Sequence, residues 1–399
     1  MFFRCAVVVA VLGAGATAAF TQDQQLGART KAMGGSYTAF EDDPVSIWLN
    51  PAGIATQPTQ GAIAYQTYTT YPLHEKPTQG GATTTFSANP EMGLVDPVIL
   101  PSYLGFVFSL GESDSPMAFG FCYARPYQLN YSFAKVTDPL TKTLTAENSS
   151  NMDESLSRIR FAFAKDFRLR DRGEKGFFTH LSVGLGLDVG YERWKFTSSS
   201  ENKNDSATAI AGGGGVLLGL YDNADTLRVN FGLAYQTFVR WDFNIDPSLL
   251  PVFNMPQQAN FGFTAYMLKG LPLRATFDLQ WIEWKDTAAR PYFAGQPAFR
   301  NVFNYSVGFE YRIDVSENLN LLPRLGYRRF NAPWDDPDDL PMVGKFRLLV
   351  DTKAAAFNII TMGFGLTWFS KEGKARSVDV GADVNGDSPS VALGFNYEF

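Results

Sequence analysis

Histidine and cysteine are nearly absent, with 2 of each in 399 residues. A His-rich metal site is therefore not expected. Cys5 falls in an N-terminal leader, which leaves Cys122 without an intrachain disulfide partner. Basic charge is also short: 34 Lys and Arg stand against 40 Asp and Glu, giving a net charge of -6, which argues against a nucleic-acid partner. Long apolar runs are missing too. The stretch after Arg4 is too short to span a bilayer, and no later one nears the roughly 18 to 20 residues of a transmembrane helix. Nothing calls for a cofactor.

Aromatic residues and glycine are abundant, with 34 Phe, 17 Tyr and 36 Gly, yet mean hydropathy is only -0.12. An alternating strand with one face in lipid and one in water reconciles the two. At the start, Arg4, the apolar residues 5–14 and Ala16-Thr17-Ala18 follow the layout of a secretory signal. The expected organisation is a signal at 1–18, a small-residue segment at 19–60 with a helical turn or two, and a β-barrel at 61–399.

From Gly61 onward the pattern has period two. Leu227, Val229, Phe231, Leu233, Tyr235, Val239 and Trp241 share one face, opposite Arg228, Asn230, Gly232, Ala234, Gln236 and Arg240; only Thr237 and Phe238 break the alternation. A helix would scatter both sets. Leu273, Phe277 and Trp281 likewise oppose Arg274, Thr276 and Asp278, and Phe303 and Phe309 oppose Asn304 and Glu310. In a soluble sandwich the apolar face would be core. Segments of about 15 to 20 residues, at 177–196, 227–243 and 354–370, exceed the usual globular strand and favour a barrel. Tyr191, Trp194, Trp241, Trp281, Trp284 and Trp368 stand near segment ends, where an interfacial girdle belongs.

About fourteen segments begin near Gly61, Pro101, Met117, Glu154, Phe177, Thr208, Leu227, Gln258, Leu273, Asn301, Leu319, Ala354, Ala375 and Pro389. Long and short connections alternate, except at the short 385–388, as the external loops and periplasmic turns of an all-β transmembrane antiparallel barrel do. The chain ends Phe395-Asn396-Tyr397-Glu398-Phe399, which resembles the terminal signal read by the barrel assembly machinery. A lumen of this size needs an occupant or a channel. Its inward face carries Arg158, Arg160, Asp188, Arg228, Arg240, Asp278, Glu310, Arg312, Arg324 and Arg328. These are expected to pair with one another and with a plug; a direct ligand role is the other reading.

The segment before the barrel contains Gly34-Gly35 and Asn50-Pro51-Ala52-Gly53, where Pro51 drives Asn50 out of helical geometry. In this order, after a signal and before a barrel, residues 26–55 resemble the hatch of the long-chain fatty acid transporter family of outer-membrane proteins, which includes aromatic hydrocarbon channels. The resemblance implies a monomeric fourteen-stranded barrel in the outer membrane of a Gram-negative-type bacterium. Its hatch, at Gly34, Gly35, Asn50, Pro51, Ala52 and Gly53, would gate passive uptake of hydrophobic small molecules, released sideways into membrane lipid. Related barrels linked to protein secretion share this N-terminal pattern, so a non-transporting scaffold is the alternative. Apolar loop residues Tyr71, Pro72, Leu73, Leu249, Leu250, Val252 and Phe253 could form a capture surface or simply pack. The run Asp335-Asp336-Pro337-Asp338-Asp339 reads as a solvated loop before it reads as a calcium site. His74 and His180 show no Ser-His-acid spacing, so no enzyme is expected.

Overall fold

Period-two alternation becomes one closed ring of hydrogen-bonded ladders in the computed structural model. It describes residues 26–66, 84–88, 94–95, 98–99, 101–111, 115–135, 150–170, 174–198, 202–223, 226–243, 254–267, 271–286, 300–331, 342–343, 346–347, 356–384 and 390–399. Fourteen barrel strands follow in order. They are β1 (Gln60–Gln66), β2 (Tyr103–Leu110), β3 (Met117–Lys135), β4 (Ser150–Arg168), β5 (His180–Ser198), β6 (Asn202–Asn223) and β7 (Leu227–Gln236). The second half holds β8 (Gln258–Met267), β9 (Leu273–Ile282), β10 (Val302–Tyr311), β11 (Leu319–Asn331), β12 (Ala356–Phe369), β13 (Ala375–Asp383) and β14 (Val391–Glu398). Each pairs antiparallel with its sequence neighbour, and β14 returns to β1 with Gln60 opposite Glu398 and Gln66 opposite Ala392. Closure leaves no strand edge to satisfy elsewhere.

The two faces are chemically opposite. Outward positions carry Phe161, Phe163, Leu185, Ile210, Phe263 and Phe364, with Leu185 68% and Ile210 74% exposed. Such a continuous apolar exterior suits hydrocarbon rather than water. Inward positions on the same strands are small or polar and buried, such as Ala162, Asp188, Thr264 and Ser306. Phe395, Tyr397 and Phe399 all point outward on the closing strand.

Several expected boundaries shift. β6 starts at Asn202 rather than near Thr208, because the polar stretch Asn202–Ser206 keeps its ladder with β5. Phe177 belongs to a two-residue strand, Gly176–Phe177, and Phe178 at φ 55° separates it from β5. The largest departure is beyond Gln236, where β7 stops while the alternation continues in the sequence. Val239 and Trp241 leave the outer face and pack inside with Leu156, Ala207, Ala211 and Met255. Trp241 therefore fills the lumen over Gly190 instead of forming a girdle. Trp284 is likewise buried, with Ile282 and Val302, whereas Tyr191 is exposed as expected. The signal, loop residues 71–74, 249–253 and 335–339, and the Trp194 side chain lie outside the described residues.

One irregularity interrupts the wall early in the chain. Between β3 and β4, Ala124 pairs with Arg158 and Tyr127 with Leu156, so Arg125 and Pro126 together oppose Ser157. Pro126 has no N–H to give, and the two-against-one count makes this a β-bulge.

Candidate functional site

Ahead of β1, residues 26–59 make no strand. They form helix α1 (Ala28–Ala32), helix α2 (Ser46–Leu49) and a 3-10 turn, Pro51–Ile54. Gly34 and Gly35, at φ 68° and 85°, reverse the chain after α1, a conformation only glycine takes without strain. Asn50 is extended, φ -147° and ψ 99°, as a residue before proline should be. Its Oδ1 accepts from Ala52 N at 3.1 Å, and its Nδ2 donates to Thr38 O at 2.7 Å and to Val216 O on β6 at 3.2 Å. One side chain thus caps a turn, ties the segment to itself and joins it to the wall.

The segment meets inward residues on every side of the ring. Toward β1 to β4 the contact is apolar: Tyr37, Phe40, Ile47, Trp48 and Ile54 pack on Ala62, Ala64, Val107, Ala118, Cys122 and Ala164. Large side chains come from the segment and small ones mostly from the wall. Further round, glycines admit the segment's backbone itself. A Cβ on Gly326 would lie 2.3 Å from Gly34 N, and Gly215 makes room in the same way for the Asn50 side chain, whose Oδ1 would be 1.9 Å from its Cβ. Gly184, Gly232, Gly308 and Gly381 stand equally close to segment main chain on their own strands. Close approach, rather than flexibility, explains this inward run of glycines.

Ionic contacts complete the seat. Arg29 donates to Glu310 at 3.0 Å through both Nε and Nη2 and pairs with Asp42 at 3.3 Å. Asp42 accepts from Arg274 at 2.7 Å. Lys31 reaches Asp383 at 3.3 Å and Ser390 at 2.7 Å. Asp278 Oδ2 accepts three bonds, from Tyr37 N, Thr38 N and Thr38 Oγ1, at 2.8, 2.9 and 2.6 Å. Arg158 and Arg160 share Asp188, stack on Trp48 with ring distances of 4.9 and 4.8 Å, and Arg160 also donates to Trp48 O.

These contacts shift the segment's own titrations. Desolvation in the lumen would raise the Asp42 carboxyl, but Arg274 and Arg29 outweigh it and hold the group below its ordinary value. Desolvation dominates at Asp43, which is pushed up despite Arg29. It also pushes the Tyr37 hydroxyl well up. Arg29 loses by desolvation and gains more from Asp42 and Glu310, so its guanidinium stays firmly charged.

Below the segment, at the short-turn end, opens a vestibule of about 800 Å³. Arg228, Arg274, Arg312 and Arg324 line it together with Glu41, Asp222, Glu310 and Asp379. Of the inward charges expected from sequence, Arg158, Arg160, Asp188, Asp278, Glu310 and Arg324 are buried in the barrel, and Arg328 pairs with Asp383 at 3.5 Å. Arg228 faces the vestibule and holds Glu41 at 3.0 Å. Arg312 sits half-exposed at its rim beside Asp314. Arg240 is the correction: past the end of β7 its side chain is 69% exposed, with Asp242 at 3.3 Å. His180 approaches Glu41 at 3.7 Å.

The lumen charges were expected to meet a plug, but Arg29, Lys31, Asp42 and Asp43 were not singled out as their counter-charges. The signal was their presence beside Gly, Ala, Ser and Thr in a stretch that has no strand alternation.

The fold is a closed antiparallel barrel of fourteen strands, with residues 26–59 packed against its inward face. No protein-family model and no curated protein matches the chain. Among solved structures it is similar to the toluene transporter TbuX of Ralstonia pickettii, at 13% identity and a TM-score of 0.54 over 94% of this chain and 99% of that one. It is similar to the toluene transporter TodX of Pseudomonas putida, at 10% identity and 0.54 over 97% and 100%. The CymD monoaromatic hydrocarbon channel follows at 13% and 0.51 over 94% and 98%. At these identities the likeness is one of fold, the fold shared with these toluene and monoaromatic hydrocarbon transport proteins.

Proposed function

We propose that this chain is an outer-membrane channel for passive uptake of hydrophobic compounds such as long-chain fatty acids or aromatic hydrocarbons, working as a single barrel. Residues 19–60 act as its hatch, with Gly34, Gly35 and Asn50-Pro51-Ala52-Gly53 as the elements that seat and release it. The observation that carries this reading is the filled lumen: a segment bonded to the wall all round blocks straight passage through an apolar-coated barrel. The vestibule beneath is lined by paired charges, a poor path for an apolar molecule. A sideways exit is better matched, and the β-bulge at Arg125 and Pro126 is one place where the wall lacks a ladder bond. Phe395, Tyr397 and Phe399 serve assembly, and residues 1–18 direct export.

Hydrocarbon and fatty acid flux into proteoliposomes tests the reading. Deletion of residues 26–55 is expected to change the flux. A cysteine pair, Pro126→Cys with Ser157→Cys, is expected to stop it when oxidised and restore it on reduction. Flux that ignores both changes removes hatch and wall from the mechanism. A stable co-purifying protein in place of any flux supports the scaffold reading instead.

A further inference from the structure

Closure removes strand edges only over the height that neighbouring strands share. β3, β4, β5 and β6 run for 19, 19, 19 and 22 residues, whereas β7, β8, β9 and β10 stop at 10 each. One side of the barrel therefore carries a tall sheet toward the long loops. Its first flank is covered, because Thr84–Ala88 adds a strand to β3 with Thr84 opposite Lys135 and Ala88 opposite Tyr131. Its second flank is bare. The ladder between β6 and β7 ends at Gly213 opposite Gln236, and over residues 202–211 the sole ladder partner of β6 among the described residues is β5.

The direction of the bare groups follows from the last contact with β7. Gly212 N donates to Thr237 Oγ1 at 3.0 Å and Gly212 O accepts from Thr237 N at 2.9 Å. The register with β5 has no bulge along this stretch, so Ile210, Thr208, Ser206 and Asn204 aim their main-chain N–H and C=O the same way, by the period of two. Ser206 N is held by Asp205 Oδ1 at 2.8 Å. Ile210, Thr208 and Asn204 have no main-chain partner on that side among the described residues. Ile210, with no β7 residue beside it, is also the most exposed large apolar side chain described. Hydrocarbon cannot complete such groups, and an added strand can.

The two faces beside the edge specify what fits. On the inner side Ala207 and Ala211 are small and pack with Val239, Trp241 and Met255, an apolar surface. On the outer side Arg193 is exposed and forms no ion pair among the described residues, with uncharged Ser206 and Ser155 as its cross-strand neighbours. Lys195 is next on that face but stands opposite Asp153, which leaves Arg193 as the cation to be matched. A strand added past Ser206 would lie about 10 Å from β5, two strand spacings. A guanidinium and a carboxylate can meet over that distance across a serine.

We propose that the bare edge of β6 is a docking lane for an extended segment of another polypeptide, about six residues long, pairing with β6 above the end of β7. Its inward side chains are apolar and meet the Trp241 cluster. An outward one is acidic and meets Arg193. The inference is independent of what hydrophobic compound the barrel carries.

Two synthetic peptides, one alternating valine with glutamate and one alternating valine with lysine, test it on the full-length barrel in nanodiscs. Fluorescence anisotropy reads binding, and amide exchange reads the edge. The glutamate peptide is expected to bind and to slow exchange at Asn204, Thr208 and Ile210, with the lysine peptide at least about tenfold weaker. Arg193→Glu should reverse that order. Thr208→Pro removes one edge N–H where proline is tolerated and should weaken the glutamate peptide; heat-modifiable migration on gels checks that both variants are folded. The lane is refuted if no peptide slows these amides or if the peptide order survives Arg193→Glu. It is refuted equally by edge amides already slow in the free barrel that speed up on deletion of residues 244–253 or on dilution, which would give the edge to the chain's own loop or to a second copy.

Discussion

One oxygen of Asp278 gathers three of the bonds between the wall and the N-terminal segment. Three donors from Tyr37 and Thr38 converge on Oδ2, two of them main-chain N–H groups with no alternative acceptor if the carboxylate is removed. Asp278→Ala is therefore expected to destabilise the seat by about 3 kcal/mol. Amide exchange at Tyr37 and Thr38 should accelerate while the strands stay protected; unchanged exchange would deny Asp278 this role. Asp42 adds a dependence on acidity. Its folded-state pKa lies below its ordinary value, so its contribution is present above the unfolded pKa and lost as pH falls through the depressed folded one. Acidification into that range should loosen the wild-type hatch more than Asp42→Asn, by the same exchange measurement. Asp43, pushed the other way by burial and in part by Asp42 itself, contributes with the opposite sign, and Asp42→Asn relieves part of that contribution as well.

Strands are where sequence and structure agree best, and the exceptions have one cause. Alternation reports which way a side chain points, not whether the chain is still paired. It located β7, β8, β9, β11 and β13 at Leu227, Gln258, Leu273, Leu319 and Ala375, the residues where they begin. It then ran through Gln236 to Trp241 and placed Trp241 and Arg240 on a strand that had ended. The N-terminal segment was legible as a stretch without strand ahead of the barrel, through Asn50-Pro51-Ala52-Gly53, but its contacts were not, because Arg29 meets Glu310 across 281 residues. Nor could glycine counts reveal which glycines touch it, since that needs the register of two neighbouring strands. Gly215→Ala and Gly326→Ala put a methyl where Asn50 Oδ1 and Gly34 N now sit. Each should cost about 1 to 3 kcal/mol of hatch seating and expose the segment to protease with the barrel intact. A surface-facing control, Gly373→Ala, has nothing within 4 Å but keeps φ 80°, so it separates backbone strain from collision.

At the scale of the whole molecule, the ring is completed by one ladder. β14 pairs with β1 over seven residues, Phe399 N donates to Thr59 O at 3.1 Å, and the Tyr397 and Phe399 rings stand 5.0 Å apart on the outside. Removing Phe399 deletes both the last main-chain bond and the outermost aromatic. The expected result is a sharp loss of heat-modifiable, membrane-inserted barrel in reconstitution with the assembly machinery, with synthesis unaffected. Normal insertion would assign the terminal aromatics to lipid contact alone.

The seat of the N-terminal segment, mostly apolar toward β1 to β4 apart from Arg158 and Arg160 and more ionic further round, also orders events in time. Trp48, Ile47 and Phe40 find their partners on β1 to β4, the strands made immediately after them, so this half can dock on a half-built sheet. Glu310, Arg274, Asp278 and Asp383 lie on strands synthesised much later, and contacts across such separations form last. A closed ring cannot easily admit a folded insert, but an open one can be curled around it. The N-terminal segment is then a core on which the wall is wound, and the glycine positions record the shape of the object the last strands had to pass over.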